Sequence, residues 1–477
     1  MTSPFLLAFL PELVLLAGAL VLFTVCLGES RARLARNAAV GVAAAAVLAC
    51  IVSLGARAEL FSGAYQVDAF SQLLKLGFAA GFGAIILLSG DLPDIREMIR
   101  PEYFLFVTLS ITGLTMLVSC VDAISLVVAL ELSSFPLYLL VPMRREREGH
   151  RTQMEGAIKY IMFGVAANGI MLFGLSYLYG LTGTTHLGPM LALLKPVAGT
   201  PLAIAGMAMA FCGLYYKLAV FPFHFWTPDV YQGASNETAG LIASLPKLGA
   251  VAVLVRFVSL ATPDNTTIAA MLALLAGASM FYGNLVALVQ KDLKRMLGFS
   301  GIAHSGYAMM GFVALSRAGY AAALYYAVGY VLMILACFVV VCRVSKDGEN
   351  VKIADLAGLH KRSPLLALTL FTGIFALAGL PPFVGFMGKL GLLTAVIARR
   401  HLTLAIVAVI NSAIAVYYYL QVVRQAVFGE AGADPTPIRL SVPTRILCAA
   451  LIACIVAFGC FPEAVVGAIA RSLTFVS

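Results

Sequence analysis

Long apolar runs separated by short polar segments fill this chain. They lie at about 4–27, 36–55, 69–90, 103–120, 122–142, 157–181, 200–220, 237–260, 266–289, 296–316, 318–342, 364–397, 402–427 and 445–470. Lengths near 20 match what a helix needs to cross hydrocarbon. The short alternating segments of a membrane barrel are absent from the sequence. The pattern predicts an all-α polytopic membrane protein of about fourteen transmembrane helices. The opening stretch, MTSPFLLAFLPELVLL, has no basic residues and no clear small-residue cleavage site, so it reads as a first span that is retained.

Two runs are interrupted. The seventh contains YYKLAVFPFHFWTPDV, with Pro222 and Pro228; the twelfth contains GLPPFVGFMGKLG, with Pro381, Pro382, Gly379, Gly385 and Gly388. Proline removes the bond to the carbonyl four residues back and clashes with it. Pro222 therefore frees the carbonyl of Leu218, and Pro381 and Pro382 free those of Leu377 and Ala378. Such groups need partners at membrane depth, inside a bundle or beside a wet cavity. The breaks lie 159 or 160 residues apart, and the runs beginning near 103 and 266 are offset by a similar amount. This predicts two five-helix units, 103–260 and 261–428, each with its fourth helix broken. They follow an N-terminal three-helix segment, 1–102, and precede a C-terminal helix in 429–477. Five is odd, so the second unit runs inverted, an architecture of translocators.

Composition sharpens the class. The chain is 61% hydrophobic and 12% charged over 477 residues. Soluble domains run at roughly 45–50% apolar and about 25% charged. Dividing the apolar content by the ~20 residues of one span gives a ceiling near fourteen, the number of runs. A soluble enzyme, a nucleic-acid binder and a single-anchor protein are excluded. The net charge of +9 follows loop topology instead. With the N-terminus outside, the inside loops collect 21 Lys and Arg and the outside loops seven. That asymmetry fixes orientation by the positive-inside rule. The nine cysteines lie in apolar runs with no CxxC or Cys/His cluster, so they read as small buried hydrophobes. Haem, iron–sulfur and zinc sites are not expected, and no GxGxxG follows a strand.

Candidate chemistry resides in ionisable groups at membrane depth, where one Lys or Asp costs about 2.5–3.5 kcal/mol on insertion scales. Glu131 sits mid-span in SLVVALELSSFPLYLL, where Ser133 or Ser134 could bond its carboxyl. Lys217 lies five residues before Pro222, in the last turn of a half-helix. The negative end of that helix and the freed Leu218 carbonyl favour its ammonium form, while burial opposes it. Lys247 follows Pro246 in ASLPKLGAVAVL. Lys389 comes about two turns after the second break. His224 adjoins the first break, and His304 is mid-span in GFSGIAHSGYAMMG. Lys75, Glu12 and Asp122 read as interfacial, and Asp229 as a ligand of backbone amides. One carboxylate, three lysines and one or two histidines across five spans predict a lateral proton path.

These residues carry a resemblance. FPFHFWTPDVYQGA, KDLKRMLGFSGIAHSGYAMMG, ALELSSFPLYLL and GLPPFVGFMGK resemble the antiporter-like membrane subunits of respiratory complex I over almost the whole chain. ASNETAG departs from the family, whose members carry a Pro/Thr-rich turn there. The resemblance implies fourteen helices with inverted repeats and proton pumping driven by quinone reduction elsewhere in an NADH–quinone oxidoreductase. It implies key residues at Glu131, Lys217, Lys247 and Lys389, and an ion pair between Glu131 and Lys217 that opens and closes. It also implies neighbouring membrane subunits M and K, with L farther away, in a bacterial inner membrane. NADH, FMN, iron–sulfur clusters and quinone would belong to partner subunits, with no cofactor in this chain. A subunit of a multi-subunit sodium/proton antiporter or of a related membrane-bound hydrogenase shares the helices and lysines. A non-pumping membrane scaffold is the alternative of another class, and costly buried charges argue against it.

Overall fold

The computed structural model describes residues 3–28, 31–146, 151–258, 266–429 and 436–476. Helices α1 (Ser3–Ala8), α2 (Leu10–Cys26) and α3 (Ala32–Ser53) lead to a hairpin of β1 (Ala58–Leu60) and β2 (Tyr65–Val67), then α4 (Ala69–Ser89). The hairpin is antiparallel, with Glu59 opposite Gln66. The next unit comprises α5 (Arg100–Leu117), α6 (Ala123–Leu140), α7 (Thr152–Thr182), α8 (Leu187–Leu194), α9 (Pro201–Ala210), α10 (Cys212–Leu218), α11 (Thr227–Gly233), α12 (Asn236–Ala243) and α13 (Leu245–Val258). Then come α14 (Thr266–Ala287), α15 (Leu293–Val313), α16 (Arg317–Val344), α17 (Leu359–Arg362), α18 (Pro364–Ala378), α19 (Val384–Ala398) and α20 (Leu402–Phe428). Helices α21 (Val442–Cys460) and α22 (Pro462–Ser472) follow.

The described parts of the apolar runs are predominantly helical. Among the described residues, ten helical stretches are long and apolar enough to cross a membrane; α2, α18, α19 and the stretch Leu187–Val197 are shorter apolar helices. The polar signals that start helices are local: Asp68, Asp122, Ser235, Asp292 and Ser316 each accept a backbone N–H of the following first turn. Such caps satisfy donors that a helix start leaves free.

Burial sorts the helices into layers. The α12–α13 stretch is wholly buried and α16 nearly so, whereas α3, α7, α20 and α21 turn much of their apolar surface outward. That outer surface suits hydrocarbon. The axis formed by α12, α13 and α16 is where polar side chains are sheltered.

The breaks share a backbone form. Helix α10 ends in left-handed Ala219 and α18 in left-handed Gly379. In each, the next amide reaches back to close the helix end: Val220 N–H to the Tyr215 carbonyl and Leu380 N–H to that of Phe375, both at 3.0 Å. This arrangement is a common helix stop. Of the two spacings read from sequence, the longer fits: Ala219 and Gly379, like Pro222 and Pro382, differ by 160 positions. Pro228 breaks nothing; it begins α11, where its missing N–H is harmless.

Two expected spans divide. The run 445–470 is not one span: it divides at Phe461, and Pro462 starts the separate helix α22. The first run divides likewise at Phe9. The hairpin at 58–67 was not anticipated, because three-residue strands carry too little alternation to read. Helix α5 begins just before the expected boundary at 102/103, and the boundary at 260/261 lies outside the described residues.

Candidate functional site

Glu131, on α6, is anchored by Asn168 on α7, whose side-chain N–H donates to its carboxylate. Lys217, on the last turn of α10, also faces α6. Its ammonium donates to the Ser133 hydroxyl, to Ser134 Oγ at 2.9 Å and to the Leu130 carbonyl at 3.4 Å. The serines therefore bind the lysine, not the carboxylate. Glu131 and Lys217 form no direct ion pair among the described residues. The freed Leu218 carbonyl is not a partner of Lys217 either. It accepts from Ser305 Oγ on α15 at 2.5 Å.

Ser305 joins the halves. Lys247, on α13, donates to the Gly301 carbonyl at 2.8 Å and to Ser305 Oγ at 3.3 Å. Its ammonium also lies 5.3 Å from the Tyr330 ring centroid, a favourable cation–π placement. One hydroxyl thus touches the broken α10 and the lysine of α13.

His304, the residue before Ser305, packs against Tyr330, the ring under Lys247, at 5.2 Å between ring centroids. Its Nδ1 is 2.5 Å from Tyr326 Oη and its Nε2 2.9 Å from Tyr419 Oη. These three helices, α15, α16 and α20, place an imidazole between two phenols. Lys389, on α19, donates to the carbonyls of Leu377 at 3.2 Å and Ala378 at 3.0 Å. The two carbonyls freed by Pro381 and Pro382 are therefore met by Lys389 itself. Its ammonium is 4.7 Å from the Tyr307 ring centroid. A Cβ at Gly379 would stand 2.9 Å from Lys389 Cδ, so that glycine serves both the left-handed turn and the lysine's approach.

The helix break of the first unit carries its lysine on the half before the break, and the second carries it on the half after. Lys217, Lys247, His304 and Lys389 form a buried set surrounded by serines, carbonyls and tyrosines, and the half-buried Glu131 stands beside it on α6, bonded to Asn168. His224 is not part of it. The ring is buried among Phe221, Phe225 and Tyr282, and neither ring nitrogen has a hydrogen bond among the described residues. The expected relay at His224 has no bonded geometry here; aromatic packing occupies its faces.

Other readings change as well. Lys75 and Glu12 are not interfacial: both are fully buried and paired at 2.7 Å, and Tyr65 Oη donates to Glu12 at 2.6 Å. Asp122 is a buried cap of α6 that also accepts from Thr185 at 2.5 Å. Asp229 binds two cations rather than amides, Lys159 at 2.6 Å and Arg295 at 2.7 Å.

Sequence reasoning missed Asn168, Ser305, Tyr326 and Tyr419, because amides and hydroxyls at membrane depth are cheap enough to be common. It also missed buried Lys294 and Glu237. Lys294 donates to the Ala234 carbonyl at 2.8 Å, closing the end of α11. Asp292 could have signalled that a helix starts there, drawing Lys294 out of the loop. Among the described residues, no group of three or more His, Cys, Asp and Glu could hold a metal ion.

Residues 120–415 match the NADH:quinone oxidoreductase/Mrp antiporter transmembrane family. The chain is 62% identical over 470 residues to NADH-quinone oxidoreductase subunit N 2 of Opitutus terrae, covering 98% of each. It is similar to a chain of respiratory complex I from Thermus thermophilus with bound aureothin, at 30% identity and TM-score 0.82, covering 96% of this chain and 99% of that one. A chain of the Mrp complex from Dietzia has the same fold, at TM-score 0.87 and 19% identity, covering 100% of this chain and 98% of that one.

Proposed function

This chain belongs to the NADH:quinone oxidoreductase/Mrp antiporter transmembrane family, within its subunit N branch, and on that premise we propose that Glu131, Lys217, Lys247 and Lys389 carry protons across the membrane. It is the antiporter-like, proton-translocating membrane subunit of an NADH–quinone oxidoreductase. The observation that supports the residue assignment is the placement of three buried lysines at the two helix breaks and beside the serine between them, each held by serine or carbonyl acceptors.

Proton movement along such a series needs a group that changes the hold on its neighbour. Approach of Glu131 to Lys217 strengthens that hold, and separation weakens it. At 4 Å and an effective dielectric near 20, a unit pair is worth about 4 kcal/mol. The released proton passes by Ser305 and Lys247 to the His304 neighbourhood, and then to Lys389 at the second break. Two five-helix units, 103–260 and 261–428, supply the two ends of this path.

The chain is a multi-pass membrane protein of a larger complex. In this reading its neighbours are subunits M and K, with L beyond, in a bacterial inner membrane. NADH, FMN, iron–sulfur clusters and quinone reside in partner subunits, and this chain supplies proton transfer only. Proton transport by inverted membrane vesicles carrying the assembled complex, driven by NADH, tests the reading. Lys247→Ala in the assembled complex should lower protons moved per NADH; unchanged transport would remove Lys247 from the path.

A further inference from the structure

Glu131 and Lys217 each have a neutral partner in place of the other. Asn168 is buried in the angle between α6 and α10 and donates to Glu131. A Cβ on Gly213, one turn before Lys217, would stand 2.6 Å from Asn168 Oδ1, so the absence of a side chain there makes room for the amide. Lys217 meets three acceptors, Leu130 O, Ser133 Oγ and Ser134 Oγ, one for each N–H of an ammonium. Neither charged group needs the other to be satisfied.

The spacing makes exchange short. Residues three apart share a helix face, so Ser134 lies on the same side of α6 as Glu131. Three residues rise by about 4.5 Å along a helix. A lysine head moving from Ser134 toward Glu131 travels that far along one face, without leaving α6. The amide fixes one carboxylate oxygen on the Asn168 side, so closing the gap requires the carboxylate to move as well as the lysine.

We propose that Asn168 is a positioning residue that holds the Glu131 carboxylate away from Lys217, so that loss of this donor lets the ion pair close. This inference rests on the proton-translocating reading of the same residues. It deepens that reading by naming the competitor that keeps the pair open.

The test uses the whole complex in inverted vesicles and the protons moved per NADH. Asn168→Leu keeps the number and branching of side-chain heavy atoms and has no donor; Asn168→Gln keeps the donor and lengthens the side chain. The proposal expects at least a threefold loss for Asn168→Leu and less than a twofold loss for Asn168→Gln. A packing role gives the reverse order, and that order, or wild-type transport by Asn168→Leu, overturns the proposal. If Asn168→Leu does not assemble, the smaller donorless Asn168→Val takes its place under the same criterion. A structure of the donorless variant is the second readout. Glu131 within 4 Å of Lys217 supports the proposal, and Glu131 left in its present position contradicts it, including where both variants lose transport. Glu131→Gln in the same vesicles separates the two readings. Its failure to alter transport would refute the functional role of Glu131, whereas a normal Asn168→Leu beside a defective Glu131→Gln refutes only the latch.

Discussion

Lys389 Nζ lies 3.0 Å from the carbonyl oxygen of Ala378, across the helix break and back along the chain. The same ammonium reaches the Leu377 carbonyl at 3.2 Å. The break and the lysine therefore form one unit: prolines strip two carbonyls of their helix partners, and the lysine supplies the donors. Bare carbonyls at this depth would cost several kcal/mol each. The ammonium, in turn, is stabilised by the negative end of α18.

Replacing Pro381 and Pro382 together with alanine should restore the helix ladder and release Lys389 from both carbonyls. We expect the complex to assemble, with proton transport slowed at least threefold relative to NADH oxidation. Vesicle transport with a native gel for assembly checks this. Full-rate pumping by the double variant would show that the break is dispensable.

Lys217→Arg should be nearly as damaging as Lys217→Ala. Arginine keeps the charge and can donate to Ser133 and Ser134, but it does not give up a proton in the working range. Steady-state transport of both variants decides the matter. Wild-type transport by Lys217→Arg would make the residue a fixed counter-charge.

Ser305→Ala removes the side-chain donor to the Leu218 carbonyl and one partner of Lys247. Leaving a buried acceptor unpaired costs about 1–3 kcal/mol. We expect slower transport and a lower unfolding temperature, whereas Ser305→Thr, which keeps the hydroxyl, should stay near wild type. Equal behaviour of the two variants would contradict the bridge.

Lys75→Met should destabilise the subunit far more than its distance from the proton series suggests. It strands Glu12 in a fully buried site, and breaking one side of a buried pair typically costs about 3–5 kcal/mol. Thermal denaturation of the purified complex reads the loss. The double change Glu12→Gln and Lys75→Met should recover much of it; an equally unstable double variant would mean that packing, not the charge pair, holds α2 to α4.

The fold was legible because hydrocarbon thickness imposes one run length on every span, and prolines mark where a span divides. What the runs do not encode is pairing between helices. Glu12 and Lys75 are far apart in sequence, on α2 and α4, and only the tertiary fold brings them together and buries both. The split at Phe461 was hidden because Pro462 at a helix start leaves the surrounding hydropathy almost unchanged. In the site, the ionisable groups stood out by their insertion cost. Asn168 and Ser305 did not, since the roles seen here depend on which neighbour their single polar group meets. His224 misled for a similar reason: adjacency to a break in sequence says nothing of where the ring turns.

The central claim is that Glu131 controls the proton held by Lys217. Glu131→Gln keeps the volume and the contact with Asn168 while removing the charge, so it isolates that control. Proton uptake by inverted vesicles, with assembly confirmed by native gel, is the direct measurement. We expect an assembled complex whose NADH-driven proton transport falls at least fivefold. Wild-type proton transport by the assembled variant would contradict it.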